Sequence, residues 1–145
     1  MKILLVCSSG GHLTQMQALS PAFEGHEVRW VTYEGGRTDD MKADRLPYIG
    51  LRPHRYLTSL VLAWRILRRE RPDVLVSTGS EIAIPFLVLA RWFGVHTIYV
   101  ESVTRVKTPS GTGRVAMRRA DDLYVQWPSL REAFGPRARY EGGLL

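Results

Sequence analysis

The sequence predicts one α/β domain: a Rossmann-like, doubly wound, mostly parallel sheet. Three observations predict it. Short β-rich runs recur along the chain, namely KILLVC, EVRWVTY, DVLVSTG, TIYVES, DLYVQW and, more weakly, ARYEGGL. Segments with helical spacing separate several of them. The runs are continuously apolar rather than alternating, the pattern of parallel strands covered on both faces. A chain of 145 residues suits one domain with a substantial core, and 45% hydrophobic with 23% charged residues is a globular composition. Repeats, low-complexity tracts and linkers are absent, so residues 1–145 are read as a single domain.

The first apolar run, Ile3 to Cys7, is too short for a secretory leader and meets glycine at once. Cys7 is the one cysteine, which excludes an intrachain disulfide or a multi-cysteine zinc site. In an apolar strand it reads as a packed thiol and suits a reducing compartment. Leu13, Met16, Gln17 and Leu19 then mark a helix. After EVRWVTY, residues 34–55 are rich in glycine, proline and charge and read as a loop with a short helix. Leu57, Leu60, Val61, Trp64 and Leu67 follow helical spacing and read as the apolar stripe, with Arg65, Arg68 and Arg69 on another face. Such a basic amphipathic helix can lie on an anionic membrane surface, although half-burial with solvated arginines gives the same pattern. Residues 82–93 are apolar nearly all round, so they are buried or face something apolar. The run Ile82 to Ala90 falls well short of the ~20 residues a spanning helix needs.

Sheets of this class bind ligands outside the carboxyl ends of their strands. The first such turn is SSGGH, Ser8 to His12. Its glycines allow close backbone approach, and the helix that follows offers free N–H groups and a positive dipole end. It is an anion site by this reading, with Ser8, Ser9 and His12 as added donors, or else a purely structural turn. GxGxxG and GxxxxGK[ST] are both missing, which argues against dinucleotide and P-loop sites. A helix N-terminus favours a neutral imidazole, so His12 can accept a proton from an attacking hydroxyl; capping or packing is the other role open to it. His26, His54 and His96 lack metal-ligand spacing. The second turn, STGSE, offers Ser80 as a helix N-cap. In the third, VESVTRVKTPSGTGR, Glu101 closes an apolar strand and Arg105 and Lys107 follow. That arrangement suits a sugar hydroxyl beside a phosphate, and a surface ion-pair cluster is its rival.

The net charge of +6 favours an acidic partner. Nucleic acid is not expected, because the chain has no interleaving of basic and aromatic residues and no recognised motif.

The segments CSSGGHLTQM, RPDVLVSTGSEIAIPF, YVESVTRVKTPSGTGR and DDLYVQWP resemble, in that order, the acceptor-side, membrane-anchoring subunit of the two-part UDP-N-acetylglucosamine transferases of lipid-linked oligosaccharide synthesis. Bacterial relatives serve capsule and exopolysaccharide assembly. The resemblance runs from Lys2 to near the C-terminus. It implies the N-terminal half of a two-domain GT-B glycosyltransferase, inactive without its partner. The partner would be a separate UDP-sugar-binding catalytic subunit, which holds most of the donor. The resemblance also implies a polyprenyl-diphosphate-linked acceptor near Ser9, Gly10, Gly11 and His12, with Thr78, Gly79, Glu101, Thr104 and Arg105 around the cleft. The implied reaction is inverting, and His12 and Glu101 are both candidates for the base. No metal and no cofactor are expected on this chain. The implied location is cytoplasmic, peripheral on the cytoplasmic face of the membrane.

Two departures stand out. The family often has a second glycine where this chain has Ser80. The eukaryotic subunit carries an N-terminal membrane helix and this sequence shows none. Membrane contact is therefore expected from the Leu57 helix, at Trp64, Arg65, Arg68 and Arg69, and from residues 82–93. The ending YEGGLL is expected at the partner interface. The competing reading is a stand-alone nucleotide- or phosphate-binding module without catalytic activity.

Overall fold

A computed structural model describes residues 1–35, 38, 41–50 and 52–145. Its strands are β1 (Lys2–Val6), β2 (Glu27–Tyr33), β3 (Ala43–Leu46), β4 (Val74–Ser77), β5 (His96–Val100), β6 (Asp122–Val125) and β7 (Ala138–Tyr140). They form one sheet in the order β3-β2-β1-β4-β5-β6-β7, and every neighbouring pair is parallel. The helices are α1 (Gly11–Ala18), α2 (Pro53–Glu70), α3 (Ala83–Ala90), α4 (Gly111–Arg119) and α5 (Pro128–Phe134). The chain winds outward from β1 to β3, crosses back through α2, and winds outward again from β4 to β7. The order therefore reverses between β1 and β4, which run in register from Ile3 opposite Val74 to Val6 opposite Ser77. This is the expected doubly wound class.

The apolar run of β1 feeds two cores. Leu4 and Val6 pack with residues of α2, α3, α4 and α5, whereas Ile3, Leu5 and Cys7 pack with Leu13 and Met16 of α1. Burial pushes the Cys7 thiol up to about 12, so it stays protonated and inert as a packed side chain. Coverage of the two faces is unequal, contrary to the sequence expectation. Among the described residues α1 and the 3-10 turn Ser20–Phe23 are the helical cover of the second face. Over β5 and β6 that face keeps a groove of about 310 Å³ between Phe23, Ile98, Tyr124 and the segment Gly142, Gly143 and Leu144.

Two elements differ from the sequence reading. Within residues 34–55 a strand forms instead of a short helix: Ala43 to Leu46 pair with Trp30 to Tyr33 at the sheet edge. Its polar, half-buried residues carry little strand signature because an edge strand has one neighbour and one covered face. Gly36, Arg37, Asp39, Asp40 and Leu51 of that stretch lie outside the described residues. Helix α2 exists, but it presents another face inward. Ser59, Ala63, Ile66 and Leu67 are buried, while Leu57 is 68% exposed and Trp64 41%. Small Ser59 and Ala63 let α2 approach α3 closely, which an apolar count cannot reveal. Helix α3, the candidate for membrane contact, is instead buried between α2 and α4; beyond its end Trp92 emerges.

Ion pairs tie the end of α2 to the sheet edge. Lys2 Nζ lies 2.8 Å from Glu70 Oε2, and Arg69 Nε lies 2.7 Å from Glu70 Oε1. Arg69, expected beside Arg65 and Arg68 at a membrane contact, is instead paired with Asp44 of β3. The Lys2 ammonium, foremost, and then the Arg69 guanidinium hold the Glu70 carboxyl below its ordinary range. A carboxyl lowered in the folded state adds stability above its unfolded value and loses it as pH falls through the folded one. Glu70→Gln is therefore expected to lower stability near neutrality by up to about 1 kcal/mol. The difference should vanish in acid, which urea titrations at several pH values check.

Candidate functional site

The carboxyl ends of β1, β4 and β5 and the amino ends of α1, α3 and α4 surround a cleft of about 370 Å³. His12, Tyr56, Ser80, Glu81, Ser102, Thr104, Arg105, Ser110, Gly111 and Thr112 line it. Its position at the reversal of strand order is where the winding leaves a crevice.

The SSGGH turn carries β1 into α1. Gly10 is the N-cap residue, and no side chain caps this helix. The amides of its first turn are thus open to a ligand. A Cβ at Gly10 or Gly11 would meet nothing within 4 Å, so internal packing gives no reason for either glycine. His12 is held from behind. Its Nδ1 lies 2.8 Å from the Thr78 carbonyl, and the Thr78 hydroxyl donates to the His12 carbonyl at 2.7 Å. A carbonyl only accepts, so Nδ1 carries a proton, and in the neutral tautomer the lone pair falls on Nε2 of a ring that lines the cleft. Gly79, at φ +111°, leaves room for this ring, since a Cβ there would lie 3.0 Å from His12 Cε1. Thr78 and Gly79, expected to touch an acceptor, instead stand behind the histidine and orient it; Thr78 is fully buried.

Glu101 departs furthest from expectation. It is fully buried and does not line the cleft. Its carboxylate accepts from Ser102 N at 2.8 Å, Ser110 N at 3.0 Å and Ser110 Oγ at 2.9 Å. The Tyr99 hydroxyl also donates to it, at 3.2 Å. Burial, and next the Glu101 charge, push the Tyr99 phenol far up, which keeps it a donor. Ser110 in turn accepts from Gly113 N at 2.9 Å and so caps α4. With its oxygens committed, Glu101 is a clamp for the loop and for the start of α4, not a base at the reacting atoms.

The loop that Glu101 closes carries Thr104 and Arg105 to the cleft, both exposed. Side chains from two other segments fix it. Gln15 Oε1 accepts from Val103 N at 2.9 Å, Gln126 Nε2 donates to the Glu101 carbonyl at 2.9 Å, and Trp127 Nε1 donates to the Val103 carbonyl at 2.6 Å. The sequence reading missed these three residues. Gln126 and Trp127 lie in VQWP and Gln15 in CSSGGHLTQM, segments that carry the resemblance but leave these residues without an assigned part. It also missed Glu81, whose carboxylate borders the cleft and accepts from Ser80 Oγ at 2.8 Å. Ser80 does not cap α3, whose N-cap residue is Ile82; it occupies the left-handed region at φ 74°. Ser9, Gly10 and Gly11 flank the cleft in sequence beside His12.

On the outer face of α2, Trp64, Arg65 and Arg68 are exposed together, and the Trp64 ring meets Trp92 edge-on at 6.4 Å. Among the described residues no helix is long and apolar enough to cross a membrane. No group of three or more His, Cys, Asp or Glu is placed to hold a metal ion there.

The winding, the reversal point and the cleft above it define a class: a Rossmann-like half of a GT-B fold. MurG of Acinetobacter baumannii superposes with a TM-score of 0.81 at 17% identity, over 98% of this chain and 46% of that one. UDP-N-acetylglucosamine 2-epimerase of Rickettsia bellii gives 0.79 at 9% identity, over 99% and 45%. At such identities the likeness is one of fold.

A family model described as "Oligosaccharide biosynthesis protein Alg14 like" matches residues 49–144, and the chain belongs to that family. The human UDP-N-acetylglucosamine transferase subunit ALG14 is 28% identical over 183 aligned positions, covering 100% of this chain and 83% of the human protein. The rat subunit is 32% identical over 95 residues, 61% of this chain and 44% of the rat protein. A relative in Staphylococcus haemolyticus, named UDP-N-acetylglucosamine--N-acetylmuramyl-(pentapeptide) pyrophosphoryl-undecaprenol N-acetylglucosamine transferase, is 26% identical over 135 residues. That match spans 79% of this chain and 37% of the staphylococcal protein, so the chain covers less than half of it and of both solved structures.

The clamp and the strained serine each lead to a stability measurement. Glu101→Ala takes the carboxylate away from four donors, two backbone amides and two hydroxyls, and is expected to cost about 3 kcal/mol or more. Ser80→Gly relieves a left-handed non-glycine residue and is expected to gain up to about 1 kcal/mol. Chemical denaturation checks both.

Proposed function

We propose that this chain is the acceptor-side subunit of a heteromeric, inverting UDP-sugar glycosyltransferase in polysaccharide or lipid-linked oligosaccharide synthesis. The observation that carries the reading is His12: an imidazole fixed through Nδ1, with no partner for Nε2 among the described residues, in a cleft bordered by the uncapped starts of α1 and α3 and by Arg105. The diphosphate of a polyprenyl-linked acceptor would lie against the amides at Gly10, Gly11 and His12, with Ser9, Thr104 and Arg105 as further donors. His12 Nε2 would take the proton of the acceptor hydroxyl as its oxygen attacks the anomeric carbon and UDP departs. Glu81 is placed to accept from a sugar hydroxyl.

The donor site belongs mainly to a separate catalytic subunit. This chain supplies one half of the fold of its structural neighbours, and the thinly covered face over β5 and β6 suits a partner. No metal or cofactor is assigned to this chain. The exposed Leu57, Val61, Trp64 and Trp92, flanked by Arg65 and Arg68, suit peripheral attachment to the anionic, cytoplasmic face of a membrane.

Transfer from UDP-N-acetylglucosamine to membrane lipid acceptor should be measured with this chain, with the protein of the neighbouring reading frame, and with both. Activity is expected only in the mixture, and His12→Ala should reduce its kcat by about 100-fold or more while the two chains still associate. An inactive mixture whose chains do not associate would overturn the subunit reading in favour of a binding module.

A further inference from the structure

At the end of the sheet opposite the cleft, the starts of β5, β6 and β7 meet the last turn of α4 and the 3-10 turn Arg91–Phe93. An open cavity of about 480 Å³ lies between them, with Arg91, Arg118, Arg119 and Arg137 in its lining. Asp121 is the one carboxylate in its lining, and its Oδ2 is already engaged by Thr97 N at 2.8 Å and Thr97 Oγ1 at 2.9 Å. Arg137 donates to the carbonyls of Met117, Ala120 and Asp121. These bonds fix the end of α4 and with it the backbone that presents Arg118 and Arg119.

Some surface arginines are compensated, Arg29 by Glu27, Arg69 by Asp44 and Arg139 by Asp122; others, Arg65 and Arg68 included, have no acidic partner among the described residues. Arg91, Arg118 and Arg119 have no acidic partner among the described residues. The helix dipole accounts for two arginines in the last turn of α4. It does not account for Arg91 and Arg137, which come from other elements and converge on the same space. A guanidinium fork matches the oxygens of a phosphate, and four arginines line this one open hollow.

We propose that this cavity is a second anion site, distinct from the cleft, which takes a phosphate monoester or diester supplied by the headgroup of an anionic phospholipid. The lipid source follows from the neighbours. Trp92 directly follows Arg91 and is 72% exposed beside Trp64. A second hollow, bordered by Arg68 and Arg71, shares Gly94 with the first. An aromatic pair beside a basic band fits a membrane interface, with rings at headgroup depth and arginines on the phosphates. The choice of lipid rests on the membrane-facing reading of α2; the phosphate chemistry does not.

Co-sedimentation of the full chain with vesicles of phosphatidylcholine, with and without phosphatidylglycerol, tests the proposal. Arg118→Gln with Arg119→Gln is expected to weaken the phosphatidylglycerol-dependent binding by about 30-fold. Arg29→Gln with Arg131→Gln, which removes the same formal charge elsewhere, should change it far less. Equal losses in both double variants, or none in either, would overturn the site. Trp64→Ala with Trp92→Ala tests the membrane face separately. If that variant binds vesicles unchanged while the Arg118 and Arg119 variant does not, the α2 reading fails and the cavity stands. Inorganic phosphate, followed by amide NMR at Gly94 and Asp121 without vesicles, separates the sources. A saturable shift lost in the Arg118 and Arg119 variant, with no gain from phosphatidylglycerol, assigns the cavity to soluble phosphate and overturns the lipid source.

Discussion

The buried carboxylate of Glu101 is the constraint on which the rest of the site depends. A charged group without solvent persists only where donors surround it. Here two backbone amides, a serine hydroxyl and a tyrosine hydroxyl do so. Meeting that need closes the loop between Glu101 and Ser110, sets Ser110 as the cap of α4, and turns the start of α4 toward the cleft. The fit leaves no slack. A Cβ at Gly113 would lie 2.1 Å from Glu101 Oε2 and 2.9 Å from Phe134 Cζ, so the glycine belongs to the same arrangement. Gln15 and Gln126 extend it to α1 and β6, and Gln126 Oε1 accepts from Leu144 N at 3.0 Å. The segments ESVTRVK and VQWP are the two sides of this one network.

What was legible in the sequence follows from what pattern encodes. Strands buried on both faces announce themselves through unbroken apolar runs, so β1, β4 and β5 and the winding class could be read directly. The SSGGH turn was visible because glycine pairs are uncommon where a strand meets a helix. Edge strand β3 was hidden, since Asp44 and Arg45 are tolerable only where one neighbour is missing. The inward face of α2 was hidden because close helix packing selected Ser59 and Ala63 there, leaving Leu57, Val61 and Trp64 outside. Glu101 was recognised as important and given the wrong part. A carboxylate at a strand's carboxyl end looks the same in sequence whether it faces a substrate or nine residues of its own loop.

The histidine illustrates division of labour among neighbouring residues. His12 lines the cleft, Thr78 selects its tautomer, and Gly79 makes the space for the ring. A motif read one segment at a time assigns all three to the ligand. The fold gives two of them to the histidine, and the cleft is left with fewer but better fixed groups.

That dependence has a consequence in time as well as in space. His12 is positioned by a carbonyl 66 residues further along the chain. Strand β1, which leads into it, is flanked by β2 and by β4, so half of its pairing waits for residues 74–77. During synthesis the glycine turn emerges well before β4, and its histidine lacks its anchor until β4 and the turn after it have followed. Parallel sheets close through such distant pairings and are slow for that reason. The first turn of the cleft is thus made before the segment that puts its histidine in place.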